Sequence, residues 1–237
     1  CDPTGRTLTG TDVAAALTVL QGMGVSAFGL NCSAGPAQML PLLQRLREYA
    51  RVPLLAKPNA GMPEIVDGRA VYDCPPEEFT ACVPAMLEAG VAIFGGCCGT
   101  DRTHIAALRA ALEGKRPAPP SPAHPELLPA ATEKDVFLLS PDAGHGPVLR
   151  ADASLEDALA DAQSEPEPTV ALALVSWDEL DALVDCQFQL EKPLCLVCDD
   201  AELLEAALRL YQGRALYEGS LPEATLLPLC EKYGLLI

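Results

Sequence analysis

Apolar and polar positions alternate between helical spacing and short continuous apolar runs, which indicates helices that alternate with strands. Apolar residues recur at helical spacing from residue 11 to about Met23, and Gly24 ends this predicted helix. The apolar run over 25–30 is typical of a strand covered on both faces. The pattern continues with a helix over 38–49, a strand over 53–57, a helix over 75–89, a strand over 91–94 and a helix over 101–112. We therefore predict an α/β fold with a parallel sheet and right-handed crossovers.

A proline-rich stretch then interrupts the pattern and divides the chain. Its prolines stand at positions 117, 119, 120, 122, 125 and 129. We predict a domain over 1–113, a linker over 114–132 and a second βα region over 133–237. In that region strands are predicted over 135–139, 169–174, 193–197 and 214–217, and helices over 155–162, 177–188, 201–211 and 222–233. The stretch over 62–74 is predicted as a loop.

Composition narrows the classes of partner. A formal net charge of −17 argues against nucleic acid, because few cations are available to neutralise a phosphate backbone. We find no run of about 18 apolar residues that would indicate a membrane span. The first residues have neither the basic nor the apolar part of a signal peptide. Ten cysteines without a secretion signal are typical of reduced thiols, so we expect a cytoplasmic protein with no nucleic-acid or membrane partner.

Loops that follow the predicted strands carry the residues with the clearest chemistry. Cys32 follows the strand over 25–30, Asn59 follows the next strand, and Cys97 and Cys98 follow the strand over 91–94. Because the carboxyl ends of adjacent parallel strands lie at one edge of a sheet, we expect these residues to lie close together. Catalytic zinc usually has three protein ligands and one open position. Thiolates select zinc over magnesium or calcium, so Cys32, Cys97 and Cys98 are predicted zinc ligands.

This ligand set favours one type of reaction. Zinc that carries three thiolates is a weaker Lewis acid than zinc bound by imidazoles. It is therefore suited to lowering the pKa of an incoming thiol, and the predicted reaction is alkyl transfer to a substrate thiolate. Two alternatives stay open on the residues alone. Cysteines are often small packing residues, and the adjacent Cys97 and Cys98 also fit a redox element.

Four sequence runs carry a resemblance to a known family. They are GRTLTGT at 5–11, GLNCS at 29–33, KPNAG at 57–61 and GGCCGT at 95–100. Residues 5–112 resemble the second part of the homocysteine-binding domain of homocysteine S-methyltransferases and cobalamin-dependent methionine synthases. The resemblance implies the last three strand–helix units of a (β/α)8 barrel, in which Cys32, Cys97 and Cys98 bind zinc and the sulfur of homocysteine completes its coordination. It also implies that Asn59 lines the substrate pocket.

The resemblance carries expectations about the rest of the site. The implied methyl donor is methylcobalamin on another domain or protein. Family members have further strand–helix units ahead of the GRTLTGT run, so we expect a partial chain that relies on a missing amino-terminal barrel half or on a corrinoid protein. The region from about 135 to 237 resembles, more weakly, the pterin-binding barrel of methionine synthases. Residues 217–220 read YEGS in place of that family's polar segment, so no folate-binding residue is transferred.

Three functions follow from these observations. The favoured one is zinc-dependent methyl transfer to homocysteine, which forms methionine. The first alternative is an inactive zinc-binding fragment or assembly module of the same fold, and the second is a corrinoid–folate methyltransferase segment. Outside the cysteines, we predict that His104 is a surface or helix-capping residue and that Asp199 and Asp200 cap the helix that follows them. No specific role is predicted for His124 or His145.

Overall fold

The computed structural model describes residues 1–152 and 155–237, which form two compact units. The first unit comprises Cys1–Thr9 and Ser26–Ala123, and the second comprises Gly10–Val25 and His124–Ile237. The stretch Gly10–Val25 thus folds with the second half of the chain, although its neighbours in sequence belong to the first unit. The division into domains over 1–113 and 133–237 with a linker between them stays a prediction.

The helices and strands follow one another in the order that the sequence predicts for most of the chain. The helices are α1 Val13–Gly22, α2 Pro36–Arg47, α3 Pro76–Ala81, α4 Val83–Glu88, α5 Arg102–Leu112, α6 Leu155–Ser164, α7 Leu180–Cys186, α8 Ala201–Leu210 and α9 Glu223–Tyr233. The strands are β1 Phe28–Asn31, β2 Leu54–Lys57, β3 Glu64–Val66, β4 Arg69–Val71, β5 Val91–Phe94, β6 Leu128–Ala131, β7 Val136–Leu139, β8 His145–Arg150, β9 Thr169–Ala173, β10 Leu194–Val197 and β11 Leu216–Glu218. Short 3₁₀ turns flank α7.

The first unit contains a parallel sheet with the strand order β1-β2-β5. β1 pairs with β2 in parallel, with Phe28 opposite Leu54, and β2 pairs with β5 in parallel, with Leu55 opposite Ile93. All three strands therefore run in the same direction. The predicted apolar stripe of α2 is confirmed, since Met39, Leu42, Leu43 and Leu46 are all buried. The predicted parallel α/β arrangement is therefore present, and the carboxyl ends of the three strands lie at one edge of the sheet.

Two predictions for the first unit are wrong. The stretch over 62–74, predicted as a loop, contains the antiparallel hairpin β3–β4. Its turn residues Asp67 and Gly68 have φ values of 51° and 74°, as a two-residue Asp-Gly hairpin turn requires. The helix predicted over 75–89 is divided at Cys82 into α3 and α4. Pro84 lies in the first turn of α4, where it has no backbone N–H to continue the preceding helix.

The second unit has its own parallel sheet, with the strand order β11-β10-β9-β8. The strands β6 and β7 form a separate antiparallel hairpin, and α1 packs against β6 and α9. The stretch over 114–132, predicted as a linker, includes β6, which begins at Leu128. The strand β8, which contains Gly146 and Pro147, was not predicted from the sequence. Across the described residues, every helix is too short or too polar to cross a membrane.

Candidate metal centre

The turn after β1 brings Cys32 to the edge of the first sheet. Cys32 and the next residue, Ser33, have φ values of 67° and 68°, in the left-handed region that residues other than glycine rarely adopt. Such a conformation costs about 1–3 kcal/mol per residue. The Cys32 N–H donates a hydrogen bond of 3.0 Å to the carbonyl of Lys57, the last residue of β2. This bond fixes the turn against the neighbouring strand.

The turn that carries Cys97 and Cys98 is bound to the loop after β2. The Cys97 N–H donates to the Pro58 carbonyl at 2.8 Å, and the Ala60 N–H donates to the Cys98 carbonyl at 2.9 Å. Within the turn, the Thr100 hydroxyl donates to the Cys97 carbonyl at 2.7 Å. These bonds place the adjacent cysteines beside the loop that contains Asn59.

The three predicted ligands form one cluster of thiols. The Sγ atom of Cys98 lies 3.6 Å from that of Cys32 and 3.9 Å from that of Cys97. All three sulfur atoms lie within 4.8 Å of one another. Thiolates bound to a tetrahedral zinc at about 2.3 Å would be about 3.8 Å apart, so the cluster fits this ion. Cys32 and Cys97 are half-buried and Cys98 is exposed, which leaves a side open to a further ligand.

The pKa values of Cys32 and Cys97 are shifted in opposite directions. The pKa of Cys32 is lowered, first by the Ser33 backbone N–H and then by hydrogen bonds from the Cys97 and Cys98 thiols. The pKa of Cys97 is raised, first by its hydrogen bond with Cys32 and then by burial. One thiol therefore ionises more readily than its neighbour. A bound cation would offset the repulsion among several thiolates at these separations.

Asn59 joins the two cysteine loops. Only 3% of its surface is exposed, and its backbone N–H donates to the Ala34 carbonyl at 2.9 Å. Its side-chain oxygen accepts a hydrogen bond of 3.2 Å from the Cys98 N–H. Asn59 also contributes to the lowered pKa of Cys32. The predicted contact with substrate stays a prediction, whereas its contacts with both loops are features of the structure.

Tyr72 is a neighbour of the cluster that the sequence analysis missed. It directly follows the hairpin β3–β4. Burial, and after it the nearby Cys98 thiol, raise the pKa of Tyr72. The ring lies against Gly99, where an added Cβ would collide with it. The only sequence signal was an aromatic residue just ahead of the prolines that begin α3.

His104 is a capping residue, as predicted. Its Nδ1 accepts a hydrogen bond of 3.3 Å from the Asp101 N–H, while the Asp101 carboxylate accepts from the backbone N–H groups of Thr103 and His104. This reciprocal arrangement is a capping box at the start of α5. The other ring nitrogen, Nε2, lies 2.9 Å from the Cys74 carbonyl. His104 thereby ties α5 to the segment that follows Tyr72.

In the second unit the predicted cap is confirmed at Asp200, which accepts hydrogen bonds from the first backbone N–H groups of α8. Asp199 has a different partner, because its carboxylate accepts from the backbone N–H and the hydroxyl of Ser220 at 2.7 and 2.9 Å. His145, for which no role was predicted, begins β8, and its Nε2 lies 2.8 Å from a Glu218 carboxylate oxygen. His124 is exposed beside Glu126.

Comparison with known proteins supports the resemblance seen in the motifs. The model of the homocysteine S-methyltransferase family matches residues 1–112, which include the whole thiol cluster. This part of the chain is therefore similar to a homocysteine S-methyltransferase domain, as its motifs predict.

Two of the curated proteins to which the chain is similar are methionine synthases. The methionine synthase of Mycobacterium tuberculosis (strain ATCC 25618 / H37Rv) is 40% identical over 118 residues, which are 49% of this chain and 10% of that protein. The methionine synthase of Mycobacterium leprae (strain TN) is 38% identical over 112 residues, which are 47% of this chain and 9% of that protein. The chain thus spans about a tenth of the length of these relatives.

Proposed function

We propose that residues 1–112 form the zinc-holding part of a site that transfers a methyl group to the thiol of homocysteine and forms methionine. The observation that carries the proposal is the convergence of the Cys32, Cys97 and Cys98 sulfur atoms within 4.8 Å of one another. They lie at the edge where three adjacent parallel strands end, which is where α/β folds place their chemistry. The family match over the same residues supports this choice of substrate.

Each residue of the cluster has a part in the proposed site. Cys32, Cys97 and Cys98 hold the zinc ion as thiolates. Zinc bound in this way lowers the pKa of a substrate thiol while the sulfur stays nucleophilic. The Asn59 side chain accepts from the Cys98 N–H and its backbone N–H donates to the Ala34 carbonyl, so it keeps both cysteine loops in register. The exposed side of Cys98 is the side from which substrate approaches.

We further propose that the methyl donor and part of the pocket come from elsewhere. The three parallel strand–helix units of the first unit correspond to the last units of a (β/α)8 barrel. Within the described residues, β1 and β5 each pair on one side only, and Ile93 of β5 is 45% exposed. A missing amino-terminal barrel half would cover these edges, and methylcobalamin on another domain or on a corrinoid protein would supply the methyl group.

The same open edges favour a second candidate, a zinc-binding assembly module without turnover. Such a module would keep the thiol cluster and use the uncovered strands for association. For the second unit we propose no folate site, because residues 217–220 read YEGS in place of the polar segment of the pterin-binding family. The resemblance of that region to a pterin-binding barrel stays a prediction.

Metal analysis of the purified chain tests the zinc site. We expect one equivalent of zinc in the wild-type chain and its loss in both Cys32→Ala and Cys97→Ala. The matched control is Cys82→Ala, which removes a half-buried thiol of the same unit outside the cluster and should keep the metal. Zinc well below one equivalent in the wild-type chain, or zinc retained in both cluster variants, would contradict the proposal.

Calorimetry then separates the enzyme from the assembly module. Homocysteine should bind to the zinc-loaded chain, whereas homoserine, which carries a hydroxyl in place of the thiol, should not. Removal of zinc by a chelator should abolish the binding of homocysteine. A zinc-loaded chain that binds neither amino acid would favour the assembly module.

A further inference from the structure

An ion pair joins the two outer strands of the second sheet. β8 and β11 lie at opposite edges of that sheet, yet His145 Nε2 lies 2.8 Å from a Glu218 carboxylate oxygen. His145 lies opposite Thr169 of β9. Ala173, four residues further along β9, lies opposite Val197, and Val197 lies opposite Glu218. Because residues four apart on a strand share a face, the ion pair spans one face of the sheet from edge to edge.

A cavity lies beside this ion pair, within the second unit. Its volume is about 340 Å³, and the residues that line it include His145, Thr169, Cys195, Leu216 and Glu218. Cys195 is two residues before Val197 and Leu216 is two residues before Glu218, so these residues belong to the face that the ion pair spans. Only 5% of Cys195 is exposed. The cavity therefore has a buried thiol in its wall and the ion pair at its boundary.

The partners of His145 require both of its ring nitrogens to carry a proton. Nδ1 lies 2.6 Å from the Gly146 carbonyl oxygen, and Nε2 lies 2.8 Å from the Glu218 carboxylate. A carbonyl and an ionised carboxylate only accept hydrogen bonds, so both nitrogens donate and the ring is an imidazolium cation. The pKa of His145 is raised, first by the Gly146 carbonyl, in agreement with this geometry. A neutral ring has one N–H and can satisfy only one of the two partners.

Glu218 is the charged group that contacts the His145 ring. The surrounding elements carry further carboxylates, a thiol and a phenol: Asp142 before β8, Glu156, Asp157 and Asp161 of α6, Glu167 before β9, Cys195 of β10 and Tyr217 of β11. The Asp142 carboxylate is hydrogen-bonded to the Ser140 hydroxyl, and the carboxylates of α6 are exposed. Glu167 faces Gly146. Burial raises the pKa of Cys195 and of Tyr217, so both stay neutral.

We propose that the His145–Glu218 ion pair closes the cavity in a pH-dependent way, and that loss of the ring proton releases Glu218 and opens it. The Gly146 carbonyl belongs to the strand that carries His145, so the neutral ring keeps its remaining proton on Nδ1. The Nε2 lone pair then faces the carboxylate, and the contact becomes repulsive. The Glu218 side chain is 59% exposed, so it can turn into solvent. This closure lies in the second unit and does not depend on the proposed methyl transfer.

Alkylation of Cys195 by iodoacetamide in the full chain of 237 residues measures the opening of the cavity. The reference is Cys186, a buried thiol of the same unit outside the residues that line the cavity. Burial raises the pKa of Cys195 to about 12 and that of Cys186 to about 11, so between pH 5.5 and pH 8.5 the thiolate fraction of each rises by the same factor. The ratio of the two rates, obtained by peptide mapping, therefore reports the local opening.

In the wild-type chain, the ratio of Cys195 to Cys186 alkylation should rise about two- to fivefold from pH 5.5 to pH 8.5, the size expected for the loss of a partly exposed ion pair. Glu218→Gln should keep the ratio low at both pH values, because an amide accepts from the protonated ring and donates to Nε2 of the neutral ring. Glu218→Ala has no partner for the ring and should give a high ratio at both. His124→Gln, which changes an exposed histidine, is the control and should keep the wild-type pH dependence.

A wild-type ratio that is equal at the two pH values overturns the inference. A Glu218→Gln chain whose ratio rises as in the wild type overturns it as well, because the ring proton would then not act through the carboxylate. Glu218→Gln alters a largely exposed side chain, and the alkylation of Cys186 reports on folding in the same digest. The absence of zinc or of homocysteine binding would contradict the proposed function and leave this test unchanged.

Discussion

The side-chain oxygen of Asn59 accepts a hydrogen bond of 3.2 Å from the backbone N–H of Cys98. Asn59 is buried and follows β2, whereas Cys98 follows β5, so this one bond couples two loops of the sheet edge. The backbone N–H of Asn59 also donates to the carbonyl of Ala34, in the segment after β1. The order of the thiol cluster therefore depends on a residue that contributes no sulfur.

The first prediction concerns metal affinity. Asn59→Ala leaves the Cys98 N–H without its acceptor, so zinc affinity should fall about 10- to 100-fold, as for other residues that orient metal ligands. Competition with a chromogenic chelator measures it. Asn31→Ala, at the end of β1 and exposed, is the control and should bind zinc as the wild-type chain does. Equal affinity in both variants would contradict the coupling.

The second prediction concerns Gly99. Gly99→Ala should lower the free energy of unfolding by about 2–4 kcal/mol, because it combines a left-handed backbone with a collision against the Tyr72 ring. Gly114→Ala is the matched control, since Gly114 has a φ of 69° but open space where the Cβ would be. It should lose only about 1 kcal/mol.

Urea unfolding of the metal-free chain measures both losses. In a Tyr72→Gly background the loss caused by Gly99→Ala should shrink to that of the control, because both the Cβ and the ring of Tyr72 that collide with the new methyl group are removed. Similar losses for Gly99→Ala and Gly114→Ala with Tyr72 present would show that the ring does not lie against residue 99.

The third prediction is a pH dependence in the second unit. The pKa of His145 is raised, first by the Gly146 carbonyl and then, against the effect of burial, by Glu218. A raised folded-state pKa stabilises the fold below the unfolded pKa, and this contribution is lost as the pH rises through the folded value. His145→Gln should therefore lower stability by about 0.5–1 kcal/mol more at pH 5.5 than at pH 8.5, a modest difference because Glu218 is exposed.

Thermal or urea unfolding at the two pH values checks this difference. His124→Gln, which removes an exposed histidine, should shift stability equally at both. A larger loss for His145→Gln at pH 8.5 would reverse the sign and refute the assignment.

The fourth prediction concerns the cap of α8. Asp200 accepts hydrogen bonds of 2.9 and 3.1 Å from the Glu202 and Leu203 N–H groups, so Asp200→Ala should lower the free energy of unfolding by about 1 kcal/mol. Glu202→Ala, an exposed change within the first turn of the same helix, is the comparison and should have less effect. Urea unfolding followed by circular dichroism measures both. An Asp200→Ala variant as stable as the wild-type chain would show that the cap does not stabilise α8.

Elements with a strong local signal were predictable from the sequence. The continuous apolar run of β5 matches its predicted bounds of 91–94, and Asp101 marks the start of α5 because its side chain caps the helix. The hairpin β3–β4 was missed because all its residues are exposed and the alternation of apolar and polar positions is absent. The strand β8 was missed because Gly146 and Pro147 are typical of turns.

The candidate site shows the same limit. The sequence could predict that Cys32, Cys97 and Cys98 lie close together, because each lies in the turn after a strand and parallel strands end at the same edge of a sheet. Tyr72 could not, because its segment approaches the cluster through the packing of its ring on Gly99. A contact that requires a glycine elsewhere in the chain leaves no pattern in the sequence around Tyr72, so that local sequence does not predict it.

The helix α1 has a consequence for any attempt to divide this chain. The polypeptide passes between the two units at 9–10, at 25–26 and at 123–124. A piece cut after residue 113 would keep α1 but lose β6 and α9, against which it packs, and would expose Leu17, which is 0% exposed in the intact chain. The thiol cluster would then be studied in a piece whose helix α1 exposes apolar side chains to solvent. Zinc measurements therefore call for expression of both units together, since the sequence boundary at the prolines is not a place where the protein can be cut cleanly.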